Sequence, residues 1–272
     1  MIIAIDIGGT KTLVAVFDDS MNIVKSVKFK TPVQYSDFIT ELKESVKILP
    51  LDDMQAGAIG TRGIVDRKAG TLVQDSVLEW KDAPLVRDCE QLFGCSFSIE
   101  NDSKIAGLSE ARSVDNNLYH KVVYVTISTG IGSAFIVGGK LDQDMINSEV
   151  GKWVMEKDGK VQMWEEIASG SWIKATYGKL ASELDDPEAW NTIAHNLALG
   201  FTNICAEYAP DIIIVGGGVG NHFEKFGSLL IEQVASLAHP MIRQCPIVEA
   251  THPDNAVIYG CFHSAHDRLA TQ

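Results

Sequence analysis

The stretch IIAIDIGGTKTLVAVF, Ile2 to Phe17, decides how the rest of the chain is read. Apolar, mostly β-branched residues lead to Asp6, Gly8, Gly9 and Thr10 form a turn, Lys11 follows, and Leu13 to Phe17 return as a second apolar run. Both flanks are strand-like and the glycine pair supplies the reversal, so the spacing predicts a β-hairpin. A buried hairpin has no need of a carboxylate at the end of its first strand. A phosphate and metal site does: glycines let backbone N–H groups approach phosphate oxygens, a Thr hydroxyl adds a donor, and a carboxylate holds Mg2+ through water. An ordinary polar hairpin tip is the competing reading, and one Gly-Gly-Thr alone would favour it.

The chain carries a second copy. Val122 to Val137 reads VVYVTISTGIGSAFIV, and laid over the first it pairs Asp6 with Thr126, Ile7 with Ile127, and Gly8-Gly9-Thr10 with Ser128-Thr129-Gly130. Two such turns, each opening a domain-sized half, match a duplicated architecture with a nucleotide in the cleft between related lobes. A third cluster, Gly216-Gly217-Gly218, follows the apolar run Ile212 to Val215. None of these is a Rossmann fingerprint, which needs a βαβ position and a downstream acid, and no Walker A sequence is present.

Composition narrows the partners. The 272 residues suit one large or two modest domains at roughly 150 residues each, and 46% hydrophobic content is ample for a core. A net charge of −13 repels nucleic acid and anionic membranes, so an anionic substrate needs local compensation from Lys11, backbone amides or a divalent cation. The opening MIIAIDIGG has no basic leader and no run is long enough to span a bilayer, which predicts a cytoplasmic protein. Five scattered cysteines, Cys89, Cys95, Cys205, Cys245 and Cys261, lack any C-x-x-C spacing and read as incidental thiols in a reducing compartment.

Along the chain, Ile23 to Lys30 reads as an alternating strand, and a helix capped by Ser36 carries Phe38, Leu42, Val46 and Leu49 on one stripe. Ala56 to Gly60 and Phe97 to Glu100 read as strands, with an excursion through Thr71–Val73 and Trp80 and a helix from Pro84-Leu85 to Leu92 between them. Asn101 and Asp102 end the second of these strands, and a helix from Ser103 to about Arg112 follows. On spacing alone Asp102 is favoured as a helix cap, because Asn and Asp are among the commonest caps. Its place at the positive end of a helix also suits an ionised proton acceptor. The segment from Lys140 to Trp172 gathers Glu149, Lys152, Glu165 and Glu166 with Trp153, Trp164 and Trp172. Rings and carboxylates together suit a sugar, and a solvated acidic hairpin is the alternative. Trp190, Ile193, Leu197, Phe201, Ile204 and Tyr208 recur at helical spacing as core.

These motifs, taken in order, resemble the ROK family of sugar kinases and repressors, members of the actin-like ATPase superfamily. The pieces are DIGGTK at Asp6–Lys11, GTRGIVD at Gly60–Asp66, SVLEW at Ser76–Trp80, ENDSK at Glu100–Lys104, STGIGS at Ser128–Ser133, SEVGK at Ser148–Lys152, EEIASG at Glu165–Gly170 and PDIIIVGGG at Pro210–Gly218. The resemblance implies a two-lobed α/β fold of the ribonuclease H-like kind, each lobe a mixed sheet flanked by helices, with the active site in the interdomain cleft. Residues 1–112, completed by a C-terminal helix 256–272, would form the smaller lobe and 113–255 the larger.

The resemblance also implies roles. Asp102 is similar to the family's catalytic base, which shifts it from cap to proton acceptor. Asn101, Glu149 and Glu165 match sugar-binding positions, Lys152 and Ser76 stand at two more, and Gly8, Gly9, Thr10, Lys11, Thr129 and Gly130 match phosphate contacts. Gly217 lies on the adenosine side, and Asp6 would position Mg2+ through water. The activity implied is that of an ATP- and Mg2+-dependent, glucokinase-like hexose kinase of carbohydrate metabolism, acting at C6, with a homodimer expected by analogy. The family's repressors give the alternative of a non-catalytic sugar-binding regulator, disfavoured by the acidic charge and by a chain that opens on its first strand.

The departures are specific. Gly151-Lys152 replaces the usual Gly-His that opens a cysteine-rich zinc motif, and no cysteine lies between Lys152 and Glu165, so no zinc is expected. Packing by Trp153, Val154 and Met155 would hold that loop instead. Ser76 replaces a sugar-contacting Asn and Arg62 a usual Pro, which predicts altered sugar preference over intact phosphate chemistry.

Overall fold

The computed structural model describes residues 1–252 and 255–270. In chain order its first elements are β1 (Ile2–Ile7), β2 (Lys11–Phe17), β3 (Ile23–Lys30), α1 (Tyr35–Ser45), β4 (Ala56–Thr61), β5 (Ile64–Asp66), β6 (Thr71–Gln74) and β7 (Lys81–Ala83). Then come α2 (Leu85–Phe93), β8 (Ser96–Asn101), α3 (Asp102–Arg112), β9 (Lys121–Ile127), β10 (Ile131–Val137), β11 (Lys140–Leu141), β12 (Val154–Lys157) and β13 (Lys160–Met163). The last are α4 (Glu165–Ala168), α5 (Gly170–Tyr177), α6 (Pro187–Tyr208), β14 (Ile212–Gly216), α7 (Gly217–Gly220), α8 (Phe223–Leu237), β15 (Ile247–Glu249) and α9 (Ala256–Ala270). The chain divides into two compact units, Met1–Ser109 with Asn255–Gln272, and Glu110–Asp254, so the division falls within α3. Residues 271 and 272, assigned to the last helix from sequence, lie outside the described residues.

Each unit is built on a five-stranded mixed sheet, and the two sheets share one strand order: β3-β2-β1-β4-β8 and β11-β10-β9-β14-β15. In both, the first three strands form an antiparallel meander and the rest add in parallel. The duplication read from the two hairpins thus extends to whole sheets. The turns differ by one residue. Ile7–Thr12 is the last pair of the first hairpin, leaving Gly8 to Lys11 between them, whereas Ile127–Ile131 closes the second around Ser128 to Gly130 alone. Lys11 is the added residue.

In the first unit Ile3, Ile5, Ile7, Ile59 and Ile99 pack with Phe38 and Leu42 of α1 and with α2. On the opposite face Ile2, Ala4, Ala15, Phe17 and Ala58 pack with Ile105 of α3 and Ile258, Cys261 and Phe262 of α9. Full burial of such a side chain contributes roughly 1.5–3 kcal/mol, so these faces fix the sheet that presents the strand ends. Helix α1 is not capped by Ser36: Gln34 occupies the cap without a side-chain bond, and the buried Phe38 and Leu42 hold the helix instead.

The second unit packs its sheet on α6 and α8. Asp186 caps α6 by accepting the N–H of Glu188 at 3.0 Å, Pro187 follows at its first position, and the helix stops at Ala209 with φ 47°. Trp164 is part of this core and not a sugar platform. It is fully buried, its Nε1 donates to the carbonyl of Asn196 at 3.0 Å, and its ring fills the space where a Cβ on Gly200 would come within 2.1 Å. The loop expected to rest on Trp153, Val154 and Met155 is the β12–β13 hairpin: Trp153 stacks on Trp164 and Met155 is buried, but Val154 points to solvent. All five cysteines are free thiols, and Cys205 and Cys245, forty residues apart in sequence, both pack in the core of the second unit.

Candidate functional site

Asp6, Gly60 and Glu100 lie side by side across β1, β4 and β8, and Ile7, Thr61 and Asn101 form the next row. Parallel strands ending together bring Asp6, the Gly8–Lys11 turn and the Asn101–Asp102 pair to one edge of the first sheet. Asp102 is the first residue of α3 and not the residue before it. Asn101 takes the capping contact, its Oδ1 accepting the Ser103 N–H at 3.0 Å, while Asp102 Oδ1 accepts the same N–H at 2.7 Å.

That edge is fixed from below. Arg67 grips Glu100 with two charge-assisted bonds, Nε to Oε2 at 2.6 Å and Nη2 to Oε1 at 2.7 Å, and Oε1 also accepts the Asn101 N–H at 2.7 Å. Asn101 Nδ2 donates to the Gly63 carbonyl at 3.2 Å. The segment from Gly63 to Arg67 therefore sets where Asp102 stands. Burial raises the Asp6 carboxyl to about 7, the negative charge of Asp102 adds to the rise, and Lys28 opposes it. Two carboxylates pressing on each other form a place short of positive charge, which fits Mg2+ held by one or two carboxylates, water and phosphate. Among the described residues no three His, Cys, Asp or Glu side chains gather as a metal cage.

The Gly8–Lys11 turn is closed by the Gly8 N–H to the Lys11 carbonyl at 3.0 Å, with Thr31 Oγ1 donating to the Gly8 carbonyl at 2.8 Å. Thr10 and Lys11 are exposed. A Cβ on Gly9 would stand 2.9 Å from Arg62 Nη1 and 3.1 Å from Val77 Cγ1. Arg62 in turn donates from Nε to Asp75 at 2.6 Å and from Nη2 to Ser76 Oγ at 3.3 Å. Burial would push the Asp75 carboxyl up, but the Leu78 N–H, the Arg62 guanidinium and the Val77 N–H together hold it below its ordinary value.

The second unit assembles its own group around Ser128–Gly130. Ser128 and Thr129 accept the N–H groups of Gly170 and Ser171 at 2.7 and 3.3 Å. Ile131 is the hub: a Cβ on Gly151 would lie 2.1 Å from its carbonyl, and its N–H donates to Glu165 Oε2 at 3.4 Å. The same Oε2 would be 2.9 Å from a Cβ on Gly130. Lys152 forms an ion pair with Glu165, and Glu149 accepts the Lys152 N–H through its carbonyl at 3.0 Å. Gly217, with φ 87°, lies against Thr126 and Ile127, where a Cβ would come within 2.5 Å of Thr126 Oγ1. So Asp6, Gly8, Gly9, Thr10, Lys11, Ser76, Asn101 and Asp102 belong to the first unit. Thr129, Gly130, Glu149, Lys152, Glu165 and Gly217 belong to the second. Sequence reading misses Arg67 and Asp75, whose signal is an acid–base pairing across 33 and 13 residues that no local period reveals.

Comparison with known proteins adds to this geometry. The model of the ROK family matches residues 2–268. A glucokinase of Streptomyces coelicolor is 23% identical over 85% of both chains, and an N-acetyl-D-glucosamine kinase of Haemophilus influenzae is 24% identical over 96% of this chain and 97% of its own. The solved ROK family glucokinase of Streptomyces griseus, in complex with glucose and AMPPNP, superposes with a TM-score of 0.79 at 22% identity, covering 97% of this chain and 99% of that one. A ROK family transcriptional regulator, a homologue of the E. coli MLC protein, superposes with a TM-score of 0.81 at 15% identity over 96% of this chain and 76% of its own. The fold is the mixed α/β actin-like ATPase fold of these proteins.

Proposed function

The chain belongs to the ROK family, and we propose that it is an ATP-dependent sugar kinase, glucokinase-like, transferring the γ-phosphoryl group to the C6 hydroxyl of a hexose or hexose derivative. The observation that carries this reading is Asp102 at the head of α3, held by Asn101 and the Arg67–Glu100 clamp and electrostatically coupled to Asp6. Asp102 takes the hydroxyl proton as the acceptor oxygen bonds to phosphorus. The bond from phosphorus to the β–γ bridging oxygen breaks, and ADP leaves with that electron pair. Phosphoryl transfer asks little covalent chemistry of the protein, so alignment, one base and charge neutralisation suffice.

Asn101, Ser76, Glu149, Lys152 and Glu165 are assigned to the sugar, and Gly8–Lys11, Thr129, Gly130 and Gly217 to the nucleotide. A Cβ at Gly9, Gly130 or Gly217 would run into Arg62, Glu165 or Thr126, so these turns have no room for a side chain. Mg2+, held at Asp6 through water, would neutralise charge on the transferring phosphoryl group. Related kinases bearing the names of different sugars leave the hexose as a question of measurement. Net charge and free thiols favour small-molecule partners in a reducing cytoplasm, and no helix among the described residues is long and apolar enough to cross a membrane.

Coupled ADP release with Mg2+ and ATP across glucose, fructose, mannose and N-acetylated hexosamines tests the reading. Turnover with at least one is expected. Sugar binding without turnover on any would replace the kinase with a non-catalytic, regulator-like sugar binder.

A further inference from the structure

Arg62 departs from the family pattern, and its surroundings differ from those of an ordinary surface arginine. One edge of its guanidinium is pinned: Nε donates to Asp75 Oδ2 at 2.6 Å and Nη2 to Ser76 Oγ at 3.3 Å. The Asp75 side chain is 1% exposed, and its other oxygen accepts the N–H groups of Val77 and Leu78, each at 2.7 Å. Rotation of Arg62 away from this place would strip a buried carboxylate of its counter-ion, so the guanidinium is pre-set. Its remaining edge faces the Gly8–Lys11 turn, with Nη1 2.9 Å from the position a Cβ on Gly9 would take. Gly9 is thus what admits the guanidinium to the backbone of the turn.

Neutralising Asp75 needs only a cation, which a lysine would supply. A planar fork with one edge fixed and the other laid beside a turn of backbone N–H groups is suited to an oxyanion. The arginine side chain keeps 30% of its surface exposed, so a ligand has access to it.

We propose that Arg62 is a phosphoryl-contacting residue, a fixed guanidinium that binds a phosphate oxygen at the Gly8–Lys11 turn. The proposal rests on the kinase reading for the identity of the ligand and assigns a residue beyond those matched to family positions. The shared chemistry is a phosphoryl group, and it has two sources: the terminal phosphate of the nucleotide, or a phosphate carried by the sugar. In the first case Arg62 meets the negative charge on the transferring group as one oxygen bonds to phosphorus and the bridging oxygen departs. In the second it holds the phosphorylated sugar.

Calorimetric titration of the full chain with AMPPNP, ADP and a hexose 6-phosphate separates these sources without requiring turnover. Arg62→Ala is expected to weaken one phosphoryl ligand at least tenfold: AMPPNP, with ADP within twofold, if the nucleotide supplies the group, or the hexose 6-phosphate, with AMPPNP within twofold, if the sugar does. Arg62→Lys keeps a cation opposite Asp75 and serves as the folded variant, with the same selective loss at smaller size. Unchanged affinity for all three ligands in both variants overturns the proposal, and so does an equal loss for all three. A wild-type chain that binds AMPPNP but phosphorylates no sugar refutes the kinase reading while leaving this ligand-selective test intact.

Discussion

At the strand ends of the first unit stand Asp6 and Glu100, followed by Asp102; at the equivalent places in the second stand Thr126 and Ala250. Both sheets have the same order, and in each a glycine, Gly60 or Gly216, lies beside the next-to-last residue of the central strand. One scaffold therefore carries two chemistries. Ionised groups and their counter-ions collect at the first edge, where Lys11 lengthens the turn and Arg62 covers it. At the second, neutral hydroxyls and bare backbone surround a shorter turn braced by Gly170, Ser171 and Glu165. The duplicated fold determines where the turns are, and single side chains determine what each turn does.

The sharpest way to break this division is to remove the charge from one edge and the hydroxyl from the other. Asp102→Asn is expected to lower kcat about 10³-fold, within the range that general bases supply, with sugar affinity changed by less than about threefold. Thr126→Val, at the position of the second unit that corresponds to Asp6, should cost less than about threefold, because a hydroxyl contact carries no proton transfer. ADP release and sugar titration on both variants decide the matter, and comparable losses in kcat would dissolve the contrast.

Asp6→Asn probes the same edge through its charge. The folded state holds the Asp6 proton up to about pH 7, whereas the unfolded chain releases it near 3.8. Stability should therefore fall as pH rises between these values and stay level above them. The variant removes that fall, so at pH 8 it should melt several degrees higher than the wild type, on the order of 1–2 kcal/mol after allowance for partial exposure, and at pH 4 the two should coincide. Turnover should drop about 10²-fold at pH 8, where the carboxylate assigned to Mg2+ is ionised in the wild type. An equal melting difference at pH 4 and pH 8 would show that Asp6 is not the titrating group.

Much of this is legible in the residues themselves. The hairpins declare themselves because β-branched runs flank glycine, and α6 because the apolar residues from Trp190 to Tyr208 recur at helical spacing. Sequence overlay matches the two turns residue for residue, but it does not show that Lys11 is supernumerary, since only pairing register reveals the extra residue. Trp164 reads as a sugar platform because aromatic rings near carboxylates look alike whether they face solvent or Gly200 across the core. The Arg67–Glu100 and Arg62–Asp75 pairs escape notice for a different reason: they join a short three-stranded sheet and its loops to the main sheet, contacts that no local period encodes. The site residues matched to family positions come from ordered motifs, and the groups that hold them in place come from coordinates.

The glycine pair offers a structural test of equivalence. A Cβ at position 60 would lie 2.5 Å from Val257 Cγ1 and 3.3 Å from Cys261 Sγ; at position 216 it would lie 2.4 Å from the Tyr124 hydroxyl and 2.9 Å from its ring. Gly60→Ala and Gly216→Ala should each destabilise by about 1–3 kcal/mol, read as a lower urea midpoint with unchanged slope. Tyr124 is 3% exposed and its ring cannot turn aside, so the second substitution should cost more. A neutral result at either position would mean that the neighbouring element yields, and the two sheets would no longer be equivalent at that row.

The smallest effect belongs to the two ion pairs that brace the turns. Arg62–Asp75 at the first places a carboxylate with a 1% exposed side chain under a guanidinium, whereas Lys152–Glu165 at the second joins side chains 56% and 22% exposed. An exposed pair of this kind contributes about 0.5 kcal/mol or less and weakens further in salt. Lys152→Met should accordingly lower Tm by no more than about 2 °C, and by less at 0.5 M NaCl, while Asp75→Asn, which leaves Arg62 without its counter-ion, should lower it by more. The contrast is informative because Glu165 also accepts the Ile131 N–H. If Lys152→Met proves as destabilising as Asp75→Asn, the lysine must be fixing Glu165 against the turn, and the second edge would depend on charge as the first does.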